Sequence, residues 1–483
     1  MQPLKLAFDT PRQDFVKELM ELAGAFFPSI ELMDFGQEND LLVSHREHLE
    51  ANIRHSQVTL SGLYSAACSI VEVLQEDPLT EKRLHKRQVK LALYQALKEA
   101  TGIRPSWGSL TGIRPTRLCA EGMARGLSLT QALAEIHDIF DVQPAKLDLL
   151  NQVVQVQQDL PQAKDDELDV YIGIPFCPSR CRYCSFISSE VGKGTMLTPY
   201  VKALVREIRA AISLVSSRGL RVRAFYMGGG TPTALTADML SEVLTAAYPL
   251  LSGARERTVE AGRPDSIDQA KLRVLKDKGI HRISINPQTM HDDTLVRIGR
   301  AHTKAQTQAA FELARANDFG HINMDIIAGL PGETPDMFAQ TLDWINTLNP
   351  ESLTVHTLTI KRSSDMYRWA DSLPDADAVE RMVALGLDSA RAMGLEPYYL
   401  YRQKHMAGNL ENVGYAKPGL ACLYNVDTME DNVSILALGA GGISKHVSKG
   451  RQLVSRAANV KAIQYYIEHV DEMIARKQAL FPD

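Results

Sequence analysis

The stretch Tyr171-Ile-Gly-Ile-Pro-Phe-Cys-Pro-Ser-Arg-Cys-Arg-Tyr-Cys184 decides how the chain is read. Three of the six cysteines, Cys177, Cys181 and Cys184, fall in it with the spacing C-x3-C-x2-C. Thiolates this close can hold three irons of a [4Fe–4S] cube and leave the fourth without a protein ligand. A small molecule can then chelate the open iron and be reduced there. A structural zinc site normally takes four ligands, commonly as two separated pairs. No second pair exists here, because Cys68, Cys119 and Cys422 stand alone. Disulfides are disfavoured in a chain without a secretory segment.

Outward from this stretch, short apolar runs alternate with longer helical patterns, the mark of βα units. Residues 169–174 read as the first strand, with the cysteines in the loop after it. Residues 224–227, 258–261, 282–285, 323–327 and 353–357 read as five more. Six parallel βα units make a partial barrel, and ligands of such folds sit at the C-terminal ends of the strands. Polar and glycine residues gather at those ends. Gly228-Gly-Gly230 follows the second strand and lets backbone approach a ligand closely. Glu260 ends the third strand, Gln288 follows the fourth, and Asp325 lies in the fifth. Arg300 stands in Arg297-Ile-Gly-Arg-Ala-His302.

These motifs resemble the radical S-adenosylmethionine (SAM) superfamily, and within it the oxygen-independent coproporphyrinogen III oxidase (dehydrogenase) family and the related haem chaperones. Tyr171 to Cys177, Gly228 to Thr233, Arg297 to Thr303 and Asp325 to Glu333 carry the resemblance, with Leu438 to Ser444 further on. Leu110 to Pro115 and Tyr398 to Gln403 are similar to the long HemZ-type branch. The implied fold is α/β. It is a partial (β/α)6 radical-SAM barrel over 166–365, with an N-terminal α+β accessory domain over 1–165 and a mostly helical C-terminal cap over 366–483. The resemblance implies that Cys177, Cys181 and Cys184 ligate a [4Fe–4S] cluster. It implies S-adenosyl-L-methionine bound by Tyr171, Tyr183, Gly229 and Glu260, and by Gly230, Thr231, Gln288, Arg300 and Asp325; some members bind a second molecule. The implied reaction is oxidative decarboxylation of coproporphyrinogen III to protoporphyrinogen IX, with an external electron donor such as flavodoxin or ferredoxin.

Two positions depart from the family pattern. The coproporphyrinogen enzymes carry a further cysteine where this chain has Phe186, as the chaperone-like members do. Gly173 replaces a histidine. Other readings therefore stay open: a haem-carrying chaperone, with His356, His405 or His446 as axial ligand, or a radical methyltransferase or haem-degrading enzyme. A tetra-anionic tetrapyrrole needs cations, and Arg180, Arg182, Lys361, Arg362, Arg402 and Lys404 are candidates. Tyr398, Tyr399 and Tyr401 have the flat faces to stack on a macrocycle.

In the flanks, residues 4–8 alternate like a strand, and Thr10-Pro11 reads as the start of a helix carrying Phe15, Leu19, Leu22 and Phe26 on one face. Short apolar pieces at 30–33 and 41–43 read as further strands. Residues 81–100 read as a helix with a basic start, Lys82 to Arg87, ended by Gly102. Thr101-Gly-Ile-Arg-Pro105 recurs as Thr111 to Pro115, each turn presenting one arginine, Arg104 and Arg114. Residues 129–160 read as helical, and 375–393 and 460–476 as C-terminal helices. A net charge of −5 gives no basic field for nucleic acid. No apolar run reaches the length of about 18 residues that a membrane span needs. A cytoplasmic, reducing home is expected.

Overall fold

A computed structural model describes residues 3–27, 29–112, 114–184, 189–359, 373–403, 406–448 and 453–481. Phe186, Lys361, Arg362, Lys404 and His405 lie outside the described residues. The chain forms two compact units, Met1–Asn151 with Arg402–Glu411, and Gln152–Tyr401 with Asn412–Asp483. The boundary thus falls earlier than the expected residue 165, and the segment after 366 is not set apart. The physical reason is packing: Val156 and Leu160 lie against Tyr398, Tyr399 and Val426 of the larger unit.

In the smaller unit, five strands stand in the order Ile30–Met33, Leu4–Asp9, Leu41–Glu50, Ile53–Gly62, Ala66–Val73. Phe15, Leu19, Leu22 and Phe26 are all buried against this sheet, as their helical spacing dictates. The helix starts later than Thr10, with a 3-10 turn Gln13–Phe15 followed by Val16–Ala23. Thr10 Oγ1 is engaged elsewhere, accepting from the Arg12 amide and bonding His45 Nδ1, each at 3.0 Å. A helix spans Pro78–Thr101, capped by the Asp77 carboxylate accepting from Thr80 N at 2.8 Å. It stops at Gly102, whose φ of +70° suits a residue without Cβ. The expected 129–160 helix is two, Leu129–Phe140 and Pro144–Gln158, parted at Asp141 with φ +57°.

The larger unit carries an eleven-stranded sheet. Its centre is six neighbouring parallel strands in chain order: Glu167–Ile174, Arg221–Gly229, Glu256–Gly262, Arg282–Ile285, His321–Ala328 and Ser352–Thr357. Helices such as Leu197–Ser217 and Ala237–Leu251 connect them. Leu168, Val170, Ile172 and Ile174 on one face and Asp169 on the other are sealed from solvent, as expected of a parallel strand covered on both sides. The C-terminal residues contribute helices Ala376–Ala392, Ile463–Glu468 and Val470–Leu480. They also add strands at both sheet edges. Ser434–Leu438 pairs parallel with the first barrel strand, and Asn412–Ala416 pairs antiparallel with the sixth.

Candidate active site

All six parallel strands point their C-terminal ends the same way, so the loops after them converge. Phe176–Cys177 forms a two-residue strand with Ser189–Glu190, and the Val191 amide donates to the Cys177 carbonyl at 3.0 Å. The loop is pinned further on, where Arg182 N donates to Ile298 O at 2.9 Å. Cys177, Cys181 and Cys184 form no disulfide and are each half-buried. Two N–H or O–H groups point at the sulfurs. Thr231 Oγ1 donates to Cys177 Sγ at 3.5 Å, and Arg263 Nη1 approaches Cys181 Sγ at 3.6 Å. Among the described residues, no three His, Cys, Asp or Glu side chains converge as ligands of one metal ion. A cubane asks for something else, one thiolate on each of three irons.

The glycine triplet sits beside this loop because backbone must pass very close to backbone there. Gly230 N donates to Ile174 O at 2.8 Å, and Thr231 N to Phe176 O at 2.7 Å. A Cβ on Gly230 would lie 2.6 Å from Phe176 O, and one on Gly228 2.7 Å from the Glu260 carboxylate carbon. Gly229 has φ +107°. Glu260 therefore sits directly against the triplet. Burial pushes its carboxyl up to about 7, against the opposing hydrogen bond donated by the Tyr226 hydroxyl. Tyr226 stacks on Tyr424 at 4.3 Å and on Tyr171 at 6.4 Å between ring centroids.

Across the sheet, Gln288 bridges to the fifth strand: its amide donates to Asp325 O at 3.0 Å and its carbonyl accepts from Ile327 N at 3.1 Å. Gln288 holds φ +68°, a costly backbone for a residue with a side chain, and such strain concentrates at functional sites. Asp325 Oδ1 accepts from Asn323 at 2.7 Å, and Oδ2 lies 3.7 Å from His356 Nε2. Burial works to raise the Asp325 carboxyl, but His356 and Asn323 outweigh it and hold it below the usual value. Arg300 is buried and donates from Nε and Nη2 to the Tyr183 hydroxyl at 3.3 and 3.1 Å. Gln288 Oε1 and Arg300 Nη1 are buried with no protein partner. Buried polar atoms rarely stay unpaired without a functional reason.

A model of the Radical SAM superfamily matches residues 171–345. Over 486 aligned residues the chain is 37% identical to the oxygen-independent coproporphyrinogen-III oxidase-like protein HemZ of Bacillus subtilis (strain 168), covering 96% of each chain. The chain belongs to this radical SAM, HemZ-type family. This HemZ-type chain is also 28% identical over 309 residues to the heme chaperone HemW of the same organism, covering 62% of this chain and 76% of that one. The solved structure of coproporphyrinogen III oxidase (HemN) from Escherichia coli shares its fold, with TM-score 0.52 and 23% identity over 66% of this chain and 72% of that one. Membership implies a [4Fe–4S] cluster and S-adenosyl-L-methionine. The residues present fit both: three half-buried thiols in one loop, a backbone cradle with no room for Cβ, and two buried polar atoms without a protein partner, Gln288 Oε1 and Arg300 Nη1.

Other parts of the HemZ-type site were not legible in advance. Arg263 clamps the cysteine loop, donating to Ser179 O at 3.1 Å and Ser179 Oγ at 2.9 Å while Asp265 holds its guanidinium at 2.8 Å. Its place just past the end of the third strand was the available signal. His356, read as a haem ligand, partners Asp325 instead. Arg402, read as a tetrapyrrole partner, is buried in the smaller unit, where it donates to Leu110 O and Asn409 O and lies over Trp107. Arg104 is likewise a structural turn residue, paired with Asp141. Tyr398 and Tyr399 are core residues, 2% and 6% exposed, too enclosed to stack on a macrocycle. His446 lies on the strand Ile443–Val447, one strand in from the sheet edge, with its ring 5.5 Å from that of Phe481. Arg180 remains exposed next to the cysteines.

Proposed function

We propose that the protein is an oxidoreductase that decarboxylates two propionate side chains of coproporphyrinogen III to vinyl groups, giving protoporphyrinogen IX without oxygen. The observation that carries this is full-length similarity to a coproporphyrinogen-III oxidase-like relative, set on a site whose cradle meets the cysteine loop. A cluster and S-adenosylmethionine together supply one-electron reductive cleavage and a species able to take hydrogen from an unactivated C–H bond. Cys177, Cys181 and Cys184 hold three irons. Glu260, with the backbone of Gly229 and Gly230 close against it, would take the amino end of S-adenosylmethionine, with Tyr171 and Thr231 packed beside them. Arg300, positioned by Tyr183, pairs with a carboxylate, and Gln288 and Asp325 take hydroxyl or amino hydrogens. Arg180 and Arg182 meet the propionates of the substrate. The electron donor is an external flavodoxin- or ferredoxin-like protein, and the setting is a reducing cytoplasm. The six parallel strands carry the chemistry, and the loops at their C-terminal ends meet the substrate.

Anaerobic incubation of reconstituted protein with coproporphyrinogen III, S-adenosylmethionine and reductant tests this. Protoporphyrinogen IX is the expected product; cleavage of S-adenosylmethionine with no tetrapyrrole product sinks the substrate. A second reading rests on similarity to the heme chaperones. Stoichiometric haem uptake without tetrapyrrole turnover selects it.

A further inference from the structure

The basic start of the helix Pro78–Thr101 has no part in that chemistry. Within the smaller unit this helix forms one wall of a cavity of about 330 Å³. Helices Pro115–Ala124 and Leu129–Phe140 and residues 109–112 form the rest. That volume is at the lower end for small-molecule sites. Leu84, Leu91, Leu118, Ile136, Ile139 and Phe140 give it an apolar interior.

Its cations are unequal. Arg83 pairs with Glu121 at 3.7 Å, Lys86 with Glu18 at 2.6 Å, Arg87 with Glu72 at 2.8 Å, and Arg125 with Glu135. Lys90 also lines the cavity, and it donates to the Thr111 hydroxyl. Among the described residues no carboxylate forms an ion pair with it. Burial disfavours its charged form and lowers its pKa to about 8, with Glu21 working in the other direction. An ammonium in an apolar wall, hydrogen-bonded to a hydroxyl and reached by Glu21 and Glu18 only at longer range, is under-compensated.

We propose that this cavity is a ligand site for a small amphipathic carboxylic acid, whose chain fills the apolar interior and whose carboxylate pairs with Lys90. The apolar lining selects the body of the ligand and the unpaired ammonium its sign. A neutral ligand of the same shape would leave the ammonium as it is. The other lining cations are each matched by a carboxylate, so among the described residues Lys90 is the lining cation left to pair with an anion.

Isothermal titration of decanoate into the full-length protein, with decan-1-ol as the neutral comparison, tests the site without any need for cluster or turnover. Decanoate is expected to bind one saturable site at least tenfold more tightly than the alcohol. Lys90→Met should remove that preference. Ile139→Trp, which fills the cavity and keeps the charge, should weaken decanoate at least tenfold, while Lys82→Ala, outside the lining, should leave it unchanged. Circular dichroism of each variant checks that it folds. Absence of saturable binding to the wild-type chain, equal affinity for acid and alcohol, or full binding by a folded Ile139→Trp protein overturns the proposal.

Discussion

Glu260 shows how one residue ties stability to pH. Burial against the glycine triplet raises its carboxyl from the ordinary range to about 7. An acid whose folded pKa is raised keeps its proton in the folded state while the unfolded chain has already lost it. Stability therefore falls as pH climbs from the usual carboxylate range toward 7, and the deficit stays in full above 7. Glu260→Gln, still able to accept from Tyr226, should unfold at least about 2 °C higher than wild type at pH 8 when no S-adenosylmethionine is present, with the gap closing near pH 4.5. The same variant should bind S-adenosylmethionine at least tenfold more weakly at pH 8, since a carboxylate holds an ammonium through a charge-assisted hydrogen bond and an amide does not. Scanning calorimetry and equilibrium dialysis read the two effects. Arg263 acts at the same scale through the loop it clamps. Arg263→Ala should leave the thiols in place but slacken Ser179 and Cys181, so that the reconstituted protein loses iron to a chelator several-fold faster.

At the scale of elements, the site exists because a strand end, a glycine triplet and a cysteine loop share one narrow layer. Gly230→Ala would place a methyl 2.6 Å from Phe176 O and 2.9 Å from Ile174 O, both backbone atoms with little room to move. It should destabilise the protein by about 1–3 kcal/mol, measured by urea unfolding, and lower iron content after reconstitution. The six barrel strands were legible because parallel strands covered on both sides read as dense apolar runs; the fourth, Arg282–Ile285, falls where its sequence puts it. Ile53–Gly62 and Ala66–Val73 in the smaller unit escaped notice for the opposite reason. Along Ile53–Gly62 buried positions alternate with exposed Gln57, Thr59 and Ser61, and along Ala66–Val73 half-buried positions alternate with exposed ones, so neither is sealed on both sides. Pro115–Ala124 was hidden by the turn motif that precedes it.

At the scale of the whole molecule, a buried polar knot joins distant parts of the larger unit. Glu207, on the helix Leu197–Ser217, accepts from Lys477 Nζ at 2.6 Å, Asn459 Nδ2 at 2.8 Å and the Tyr466 hydroxyl at 2.7 Å. Oε2, which takes the Tyr466 hydroxyl, also accepts from the Gly439 amide at 2.7 Å. Burial lowers the Lys477 pKa while Glu207 works to keep the ammonium charged. Glu207→Ala strands that ammonium and should cost about 3–5 kcal/mol in chemical unfolding, whereas Glu207→Gln combined with Lys477→Met should recover much of it. The paired variants separate charge burial from packing.

The spacing of three cysteines, the rhythm of six apolar strands and the glycine triplet at a strand end are local patterns. Each was readable because its physics acts over a few residues: thiolate reach, strand period, backbone without Cβ. What needed tertiary structure were partners far apart in sequence. Strands from residues 396–458 extend the barrel sheet at both edges, Arg263 reaches back to the cysteine loop, and His356 finds Asp325. Arg402 was open to a ligand on paper and is sealed in the other unit, because only the folded chain brings Trp107 and Leu110 against it.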